Sequence, residues 1–384
     1  MPSAVRVVVA AGGTAGHVVP AMAVAEELRA SGAEVSFLGT RERIEAELVP
    51  AAGYEIELLD VRGIDRRNPL RAAVAAGKAV AAVGAARRAL RRRRADVVMG
   101  GGGYVAGPAG LAAILTGTPL VLTEADSYLG LANRLLARRA RRVCLSFPIA
   151  GREGAPYLLT GRPVPAAVLE ADRDEARRRF GVAVESRCLL VMGGSQGARS
   201  INLAAVEAFA EGESAASRDF HVIHLSGERD HDEIAGRLAA ARHAARYGLI
   251  AYEPDLGDVL AACDLVLARS GGSIFEVMAR GRPAILVPYP HATADHQSAN
   301  AKWMADAGAA ETIGDAELSA ELLGERVGAL FGDEERLRAM AAAAAAIARP
   351  DAARRIAAEV LAAAGTTPSG APYAAYDHKR RTGR

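Results

Sequence analysis

Three glycine-rich turns carry the strongest chemical signal in this chain: GGTAGH from Gly12 to His17, GGGGYVAGP from Gly100 to Pro108, and GGSQGAR from Gly193 to Arg199. Each follows an apolar, strand-like run, and the first and third lead straight into helix-period sequence. A strand that ends in such a turn and opens a helix offers unshielded backbone N–H groups and the positive end of the helix dipole to an anion. Glycine lets a phosphate approach the main chain closely. No turn fits GxxxxGK(S/T), and the first lacks GxGxxG spacing, which argues against ATP hydrolysis and ordinary NAD binding. A diphosphate ligand of another kind is implied.

A fourth turn, ARSGGSIFE from Ala268 to Glu276, puts a carboxylate about one turn into a helix. Glu276 there is placed to accept both hydroxyls of a ribose, or else is a solvated residue favoured near a helix start. HATADHQSAN, from His291 to Asn300, adds Asp295, His296 and Gln297 in what reads as a facing loop. His17 stands at the start of a helix, where the dipole disfavours the imidazolium and keeps a neutral nitrogen available as a base; the plainer alternative is that it only caps a turn.

These residues need two α/β units to position them. A strand at Val5 to Ala11, a helix at Val18 to Ala30 and a strand at Glu34 to Leu38 form a βαβ start, and residues 95–122 repeat the alternation. A second start of the same kind opens at Arg187 with CLLVM and the third glycine turn. Strands at His221–Leu225, Leu249–Tyr252, Leu265–Ala268 and Ala284–Val287 alternate with helical stretches, which means parallel sheets with right-handed crossovers. The expected fold is α/β, two Rossmann-like domains facing a cleft, with GRPVP at Gly161–Pro165 as the hinge. The expected division is 1–163, 164–345, an alanine-rich helix over 346–364 that returns to the first domain, and a disordered tail over 365–384.

The length of 384 residues suits two domains, and 51% hydrophobic against 24% charged residues can fill both cores. Cys144, Cys188 and Cys263 are far apart and lack metal or disulfide spacing, which fits a reducing compartment. No signal peptide is visible at Met1. The uncharged stretch Val97 to Thr123 is long enough to suggest a membrane span, but its glycines and prolines make it strand, loop, helix, strand. The formal charge of +2 conceals a basic first half and an acidic second half. Residues 66–94 concentrate nine arginines and Lys78 on a small apolar helix, which reads either as a surface for anionic lipid or as a solvated helix end. Without aromatic interleaving or a reader motif, nucleic acid is a poorer partner.

Taken together and in this order, GGTAGH, GGGGYVAGP, LTEADSYLGLANRLLA, GGSQGAR, ARSGGSIFE and DHQSANA resemble the MurG family, over Val5 to about Ala364. The resemblance implies a GT-B fold and an inverting transfer of GlcNAc from UDP-GlcNAc to lipid I, giving lipid II. It implies UDP-GlcNAc as substrate, no metal or other cofactor, and a peripheral position on the anionic cytoplasmic face of the cell membrane. Partner proteins of cell-wall synthesis are a further possibility it raises.

Carried onto this sequence, the resemblance gives His17 or Asp126 as the base. It assigns Gly13, Gly101, Gly102, Gly103 and Tyr104 to the acceptor, and puts Thr14, Ala15 and Gly16 at the reaction centre within reach of the donor. Ser195, Gln196 and Gly197 correspond to the donor diphosphate loop, joined by Arg269, Gly271, Gly272 and Ser273, with Glu276 on the ribose and His296, Gln297 and Asp126 toward the donor sugar and phosphate. Arg67, Leu70, Arg71, Val74, Lys78 and Arg88 are the membrane-facing candidates.

Four departures stand out: Ala15 for a usual glycine, Thr123-Glu124-Ala125-Asp126 for His-Glu-Gln-Asn, Pro165 for arginine, and a fourth turn one residue short. An ionised Asp126 accepts hydrogen bonds but donates none, so sugar choice could change with it. The rival readings are another GT-B enzyme, either a lipid glycosyltransferase or a UDP-GlcNAc 2-epimerase, and a non-catalytic nucleotide-sugar binder.

Overall fold

The computed structural model describes residues 4–41, 43–61, 69–194, 196–212, 219–292 and 295–366. The first half builds a seven-stranded sheet from β1 (Arg6–Ala11), β2 (Glu34–Thr40), β3 (Glu55–Leu59), β4 (Val97–Gly102), β5 (Leu120–Glu124), β6 (Arg142–Leu145) and β7 (Tyr157–Leu159). Its order is β3-β2-β1-β4-β5-β6-β7 and every pairing is parallel. The second half builds a six-stranded parallel sheet from β8 (Arg187–Met192), β9 (Phe220–Leu225), β10 (Tyr247–Ile250), β11 (Leu265–Ala268), β12 (Ala284–Leu286) and β13 (Ala310–Thr312), in the order β10-β9-β8-β11-β12-β13.

Both sheets are doubly wound, and each reverses its strand order beside its first strand, at β1/β4 and at β8/β11. Ligands in such sheets bind beyond the carboxyl ends of the strands at that reversal. All four glycine segments lie there, since three follow β1, β8 and β11 and the second begins in the last residues of β4. Parallel strands covered by helices on both faces are continuously apolar, and Val7–Ala11, Val97–Met99 and Leu189–Met192 are buried throughout.

The uncharged stretch Val97–Thr123 is β4, a helix over Ala106–Thr116 and β5. Among the described residues no helix is long and apolar enough to cross a membrane. The alanine-rich C-terminal sequence forms helices Glu334–Ile347 and Ala352–Ala363, parted at Pro350. Ile356, Ala357, Val360 and Leu361 of the second helix join the core of the first sheet with Val7, Val9 and Val24. Residues 367–384, most of the stretch expected to be disordered, lie outside the described residues.

The chain thus passes between the sheets twice, after β7 and before Ala352. At Gly161, φ is +84°, and an added Cβ would stand 2.6 Å from the Cβ of Arg349, so the two crossings touch where only glycine fits. Phe147, in the loop after β6, packs edge-on to Phe275 and Trp303 at centroid distances of 4.8 and 5.1 Å. An aromatic side chain from the first half is thereby seated in the core of the second.

Candidate active site between the two sheets

The first glycine turn is a close interlock of two loops. At β4 the register against β1 shifts between Ala10 and Ala11, which pushes Gly101 out of the ladder. A Cβ on Gly101 would meet those of Ala11 and Ala21 at 2.9 and 3.1 Å. Gly103 (φ +75°) lies so close to Gly12 that an added Cβ would fall 1.8 Å from the Gly12 carbonyl oxygen. Gly102 leaves its vacant side to the His17 ring, whose Cδ2 would be 2.4 Å from a Cβ added there. Tyr104 follows, half-exposed at the cleft.

The helix expected from Val18 begins at Ala15, so Gly16 and His17 lie inside its first turn. Ala15, the departure from glycine, heads the helix in a conformation open to any residue. Thr14 is the N-cap, and its hydroxyl lies 3.2 Å from His17 Nδ1. Burial lowers the pKa of His17, the guanidinium of Arg162 lowers it further, and Asp126 and Glu45 oppose both. A neutral imidazole beside a fixed hydroxyl suits a base.

Asp126 is placed by its neighbour. The buried Glu124 carboxylate accepts from Asp126 N (3.2 Å), Gly130 N (2.8 Å) and Asn133 Nδ2 (2.9 Å), folding residues 124–130 into a turn that carries Asp126 to the cleft. Asp126 acts electrostatically on both His17 and Arg162.

Arg162 is not among the residues singled out in the sequence. It reaches across from the crossing segment: its Nη2 donates to the Gly16 carbonyl, and its guanidinium lies against the Cα of Gly272, where an added Cβ would be 2.6 Å away. Burial lowers its pKa, against the favourable fields of Glu276 and Asp126. Pro165, the departure from arginine, is the N-cap of a short helix, Ala166–Glu170. The only signal of Arg162 in the sequence is an arginine between glycine and proline, one of many in an arginine-rich chain.

On the other side of the cleft, the third glycine turn is held as tightly as the first. A Cβ on Gly193 would lie 2.1 Å from Ala198 N, and one on Gly197 (φ +75°) would lie 2.0 Å from the Ser226 carbonyl oxygen. Helix Arg199–Val206 starts directly after it, and Gln196 is exposed at the turn. Ser195 lies outside the described residues.

The fourth turn meets the segment read as a facing loop, but His296 and Gln297 of that segment stand in the first turn of a helix, His296–Asp306. Ser270 Oγ donates to the Gln297 carbonyl at 2.7 Å and Asn300 Nδ2 donates to the Ser270 carbonyl at 3.0 Å. Gln297 Oε1 accepts from Tyr289 N at 3.0 Å, which leaves its amide nitrogen toward Gly271. His296 heads the helix His296–Asp306 half-buried, after Asp295 in the left-handed region (φ +52°). Ser273 precedes helix Ile274–Ala279, and Glu276 lies in its first turn. Burial pushes the Glu276 carboxyl up to about 7, with Arg162 pulling the other way.

Two of the assigned residues already hold protein partners. Arg269 pairs with Asp315 at 2.6 Å and donates to Ser200 Oγ, Val287 O and Pro288 O. A buried guanidinium must satisfy its donors, and here protein groups do so. Gly13 has its N–H committed to Glu45 Oε2 at 3.0 Å, so it is not a free donor for the acceptor. Of the membrane-facing candidates, Arg88 is exposed, Arg67 lies outside the described residues, and so do the side chains of Leu70, Arg71, Val74 and Lys78.

Comparison with known proteins gives the family and the fold. The family model described as glycosyltransferase family 28 N-terminal domain matches residues 7–145, and that for the C-terminal domain matches residues 188–356. The UDP-N-acetylglucosamine--N-acetylmuramyl-(pentapeptide) pyrophosphoryl-undecaprenol N-acetylglucosamine transferase of Moorella thermoacetica is 42% identical, over 91% of this chain and 97% of its own length. The same-named protein of Halorhodospira halophila is also 42% identical, over 91% and 96%. The crystal structure of Acinetobacter baumannii MurG superposes with a TM-score of 0.73 at 29% identity, covering 94% of this chain and all of that one. A UDP-N-acetylglucosamine 2-epimerase structure, at a TM-score of 0.69 and 16% identity, covers 97% of this chain and all of its own, and shares the fold alone. With two Rossmann-like sheets, glycine turns at both reversals and relatives this similar along nearly their whole length, the chain belongs to the MurG family of GT-B, UDP-GlcNAc-dependent N-acetylglucosaminyltransferases.

Proposed function

We infer that this chain moves GlcNAc from UDP-GlcNAc to the 4-hydroxyl of MurNAc in undecaprenyl-pyrophosphoryl-MurNAc-pentapeptide, turning lipid I into lipid II in peptidoglycan biosynthesis. The observation that carries this reading is the reach of Arg162 to both the Gly16 carbonyl, next to His17, and Gly272, before the helix of Glu276, which brings the two glycine turns into one cleft. An inverting displacement needs one base for the attacking hydroxyl and one stabiliser for the departing diphosphate. His17 is the base; with Nδ1 held by Thr14, Nε2 takes the proton and Asp126 favours the imidazolium that forms. The donor diphosphate lies at the Ser195–Gly197 turn and the helix start at Arg199, with Arg162 reaching it across the cleft and Glu276 on the ribose. Residues 1–163 take the acceptor, 164–345 the donor, and Gly161–Pro165 serves as the hinge.

The test is transfer of radiolabelled GlcNAc from UDP-GlcNAc to a short-chain lipid I analogue by purified protein, with EDTA present and UDP-GalNAc and UDP-glucose as competitors. Labelled lipid II, with GlcNAc preferred, is expected. Release of ManNAc from UDP-GlcNAc alone would identify an epimerase, and binding without turnover a non-catalytic binder.

The anionic membrane surface meets the first domain on a patch that no sequence motif marks. Leu111 and Leu115 are exposed on helix Ala106–Thr116, as are Leu131 and Leu135 on helix Leu131–Leu136. The two helices cross closely: an added Cβ on Gly107 would be 3.5 Å from Ala132 Cβ, and one on Gly110 2.6 Å from Leu136 Cδ1. Arg134, Arg138 and Arg139 are exposed on the second helix and the turn after it. Leucines with arginines beside them suit a surface of anionic lipid. Replacing Leu115 and Leu135 together by glutamate is expected to weaken cosedimentation with phosphatidylglycerol vesicles by about 10-fold or more, since each leucine contributes about 1.5–3 kcal/mol when buried. Turnover of the short-chain acceptor should be kept. Undiminished sedimentation would remove the patch from the membrane contact.

A further inference from the structure

Glu45 is fully buried, and nothing in the reaction described above uses it. It is the first residue of helix Glu45–Ala51. Its Oε1 accepts from Thr40 N at 2.9 Å and from Thr40 Oγ1 at 2.6 Å, and its Oε2 accepts from Gly13 N at 3.0 Å. Two glycines make room for it. A Cβ on Gly12 would stand 2.3 Å from Oε1, and one on Gly39 2.7 Å from Cγ. The carboxylate lies against Gly12 and takes the Gly13 N–H, a donor that a phosphate at this turn would need.

We propose that Glu45 is a positioning residue for the reaction centre, an internal anion that fills the first glycine turn so that this turn shapes the base instead of binding a phosphate. The path from Glu45 to the base is short and made of contacts without slack. Glu45 fixes Gly12 and Gly13; the Gly12 carbonyl abuts Gly103; Gly102, next to it, abuts the His17 ring. Thr14, immediately after Gly13, holds His17 Nδ1. A loosened carboxylate therefore shifts the histidine, and a misplacement of about 1 Å at a reacting group can cost about 10²-fold in rate. Its charge adds to the geometry. The charged groups that act on His17 are Arg162, which disfavours the imidazolium, and Asp126 and Glu45, which favour it. This inference rests on His17 being the base, and it leaves the acceptor diphosphate to the Gly101–Tyr104 turn and to groups across the cleft.

The decisive variant is Glu45→Gln. An amide keeps the shape but sets an N–H group against either Thr40 N–H or Gly13 N–H, and it removes the charge. The expected result is a fall in kcat of about 10- to 100-fold with the KM for UDP-GlcNAc unchanged, together with an acid limb of kcat/KM for the acceptor displaced to lower pH. Thr40→Val, which removes one hydrogen bond and keeps the charge, should lower Tm and leave the acid limb in place. If Glu45→Gln lowers Tm but leaves kcat and the limb as they were, Glu45 is only structural and the proposal fails. The same variant keeping full turnover while His17→Ala loses it would overturn the role of Glu45 and leave the base standing. Loss of nothing in either variant would instead overturn the base. A measurement on the unaltered protein covers the case of a variant that does not fold. The Gly13 amide should resist hydrogen exchange and keep its NMR shift when inorganic pyrophosphate is added; rapid exchange, or a pyrophosphate-dependent shift at Gly13, would show the turn to be an anion site after all.

Discussion

Replacing His17 by alanine is expected to lower kcat by about 10²- to 10⁴-fold, the usual contribution of a positioned general base, with little change in the KM for UDP-GlcNAc. The pH profile separates this from a loss of shape. With UDP-GlcNAc saturating, kcat/KM for the acceptor reports the free base, which must be neutral to act. Because burial and then Arg162 lower the pKa of His17, the acid limb should fall below the ordinary histidine value of about 6.5. Removing Arg162 as glutamine relieves one of the two depressing influences, so the limb moves to higher pH. Removing the charge of Asp126 as asparagine withdraws support for the imidazolium, so the limb moves to lower pH. If His17→Ala retains most of the rate while Asp126→Ala loses it, the base is Asp126. A limb that stays put in Arg162→Gln would mean that the guanidinium does not act on the base at all.

The second large effect concerns Glu276. A carboxylate that accepts two ribose hydroxyls makes two charge-assisted hydrogen bonds of about 1.5–3 kcal/mol each. Glu276→Ala should therefore lower kcat/KM for UDP-GlcNAc by about 10²-fold or more, at about 1.4 kcal/mol per tenfold, while kcat at saturating donor changes little. The pH dependence has a definite sign. Burial pushes the free carboxyl up to about 7, and the ribose needs the ionised form, so affinity for UDP-GlcNAc, whose diphosphate does not titrate in this range, should weaken as pH falls through that value. Binding at about pH 6.5 should release a proton, seen as a dependence of the calorimetric heat on the ionisation enthalpy of the buffer. Glu276→Gln should bind weakly at every pH and release none. Proton uptake, or affinity that holds as pH falls, would take the ribose away from Glu276.

Much of this is legible in the chain itself. Strands Leu265–Ala268 and His221–Leu225 and the alternation through Val97–Thr123 are readable because buried parallel strands are uninterrupted apolar runs, and glycine turns punctuate them. The pairing of the Ser270 turn with the helix start at Gln297 also follows from order along the chain, since both lie beyond neighbouring strands, β11 and β12. The tightness of the glycine turns is legible as composition, though not its cause. What only the tertiary structure decides is which side chains from distant segments share a space and what already occupies each one. Nothing in the sequence signals that Arg269 pairs with Asp315, far along the chain. Arg162 and Glu45 carry no local motif, because an arginine before proline or a glutamate at a helix start has no meaning until a carbonyl, a glycine Cα or a backbone N–H is brought against it. The exposed leucines of helices Ala106–Thr116 and Leu131–Leu136 are equally silent, since exposure is a property of the packed surface and not of leucine. Periodicity and turn chemistry act between neighbours in sequence and fix the two sheets; charge, burial and hydrogen-bond demand act through space and fix the site.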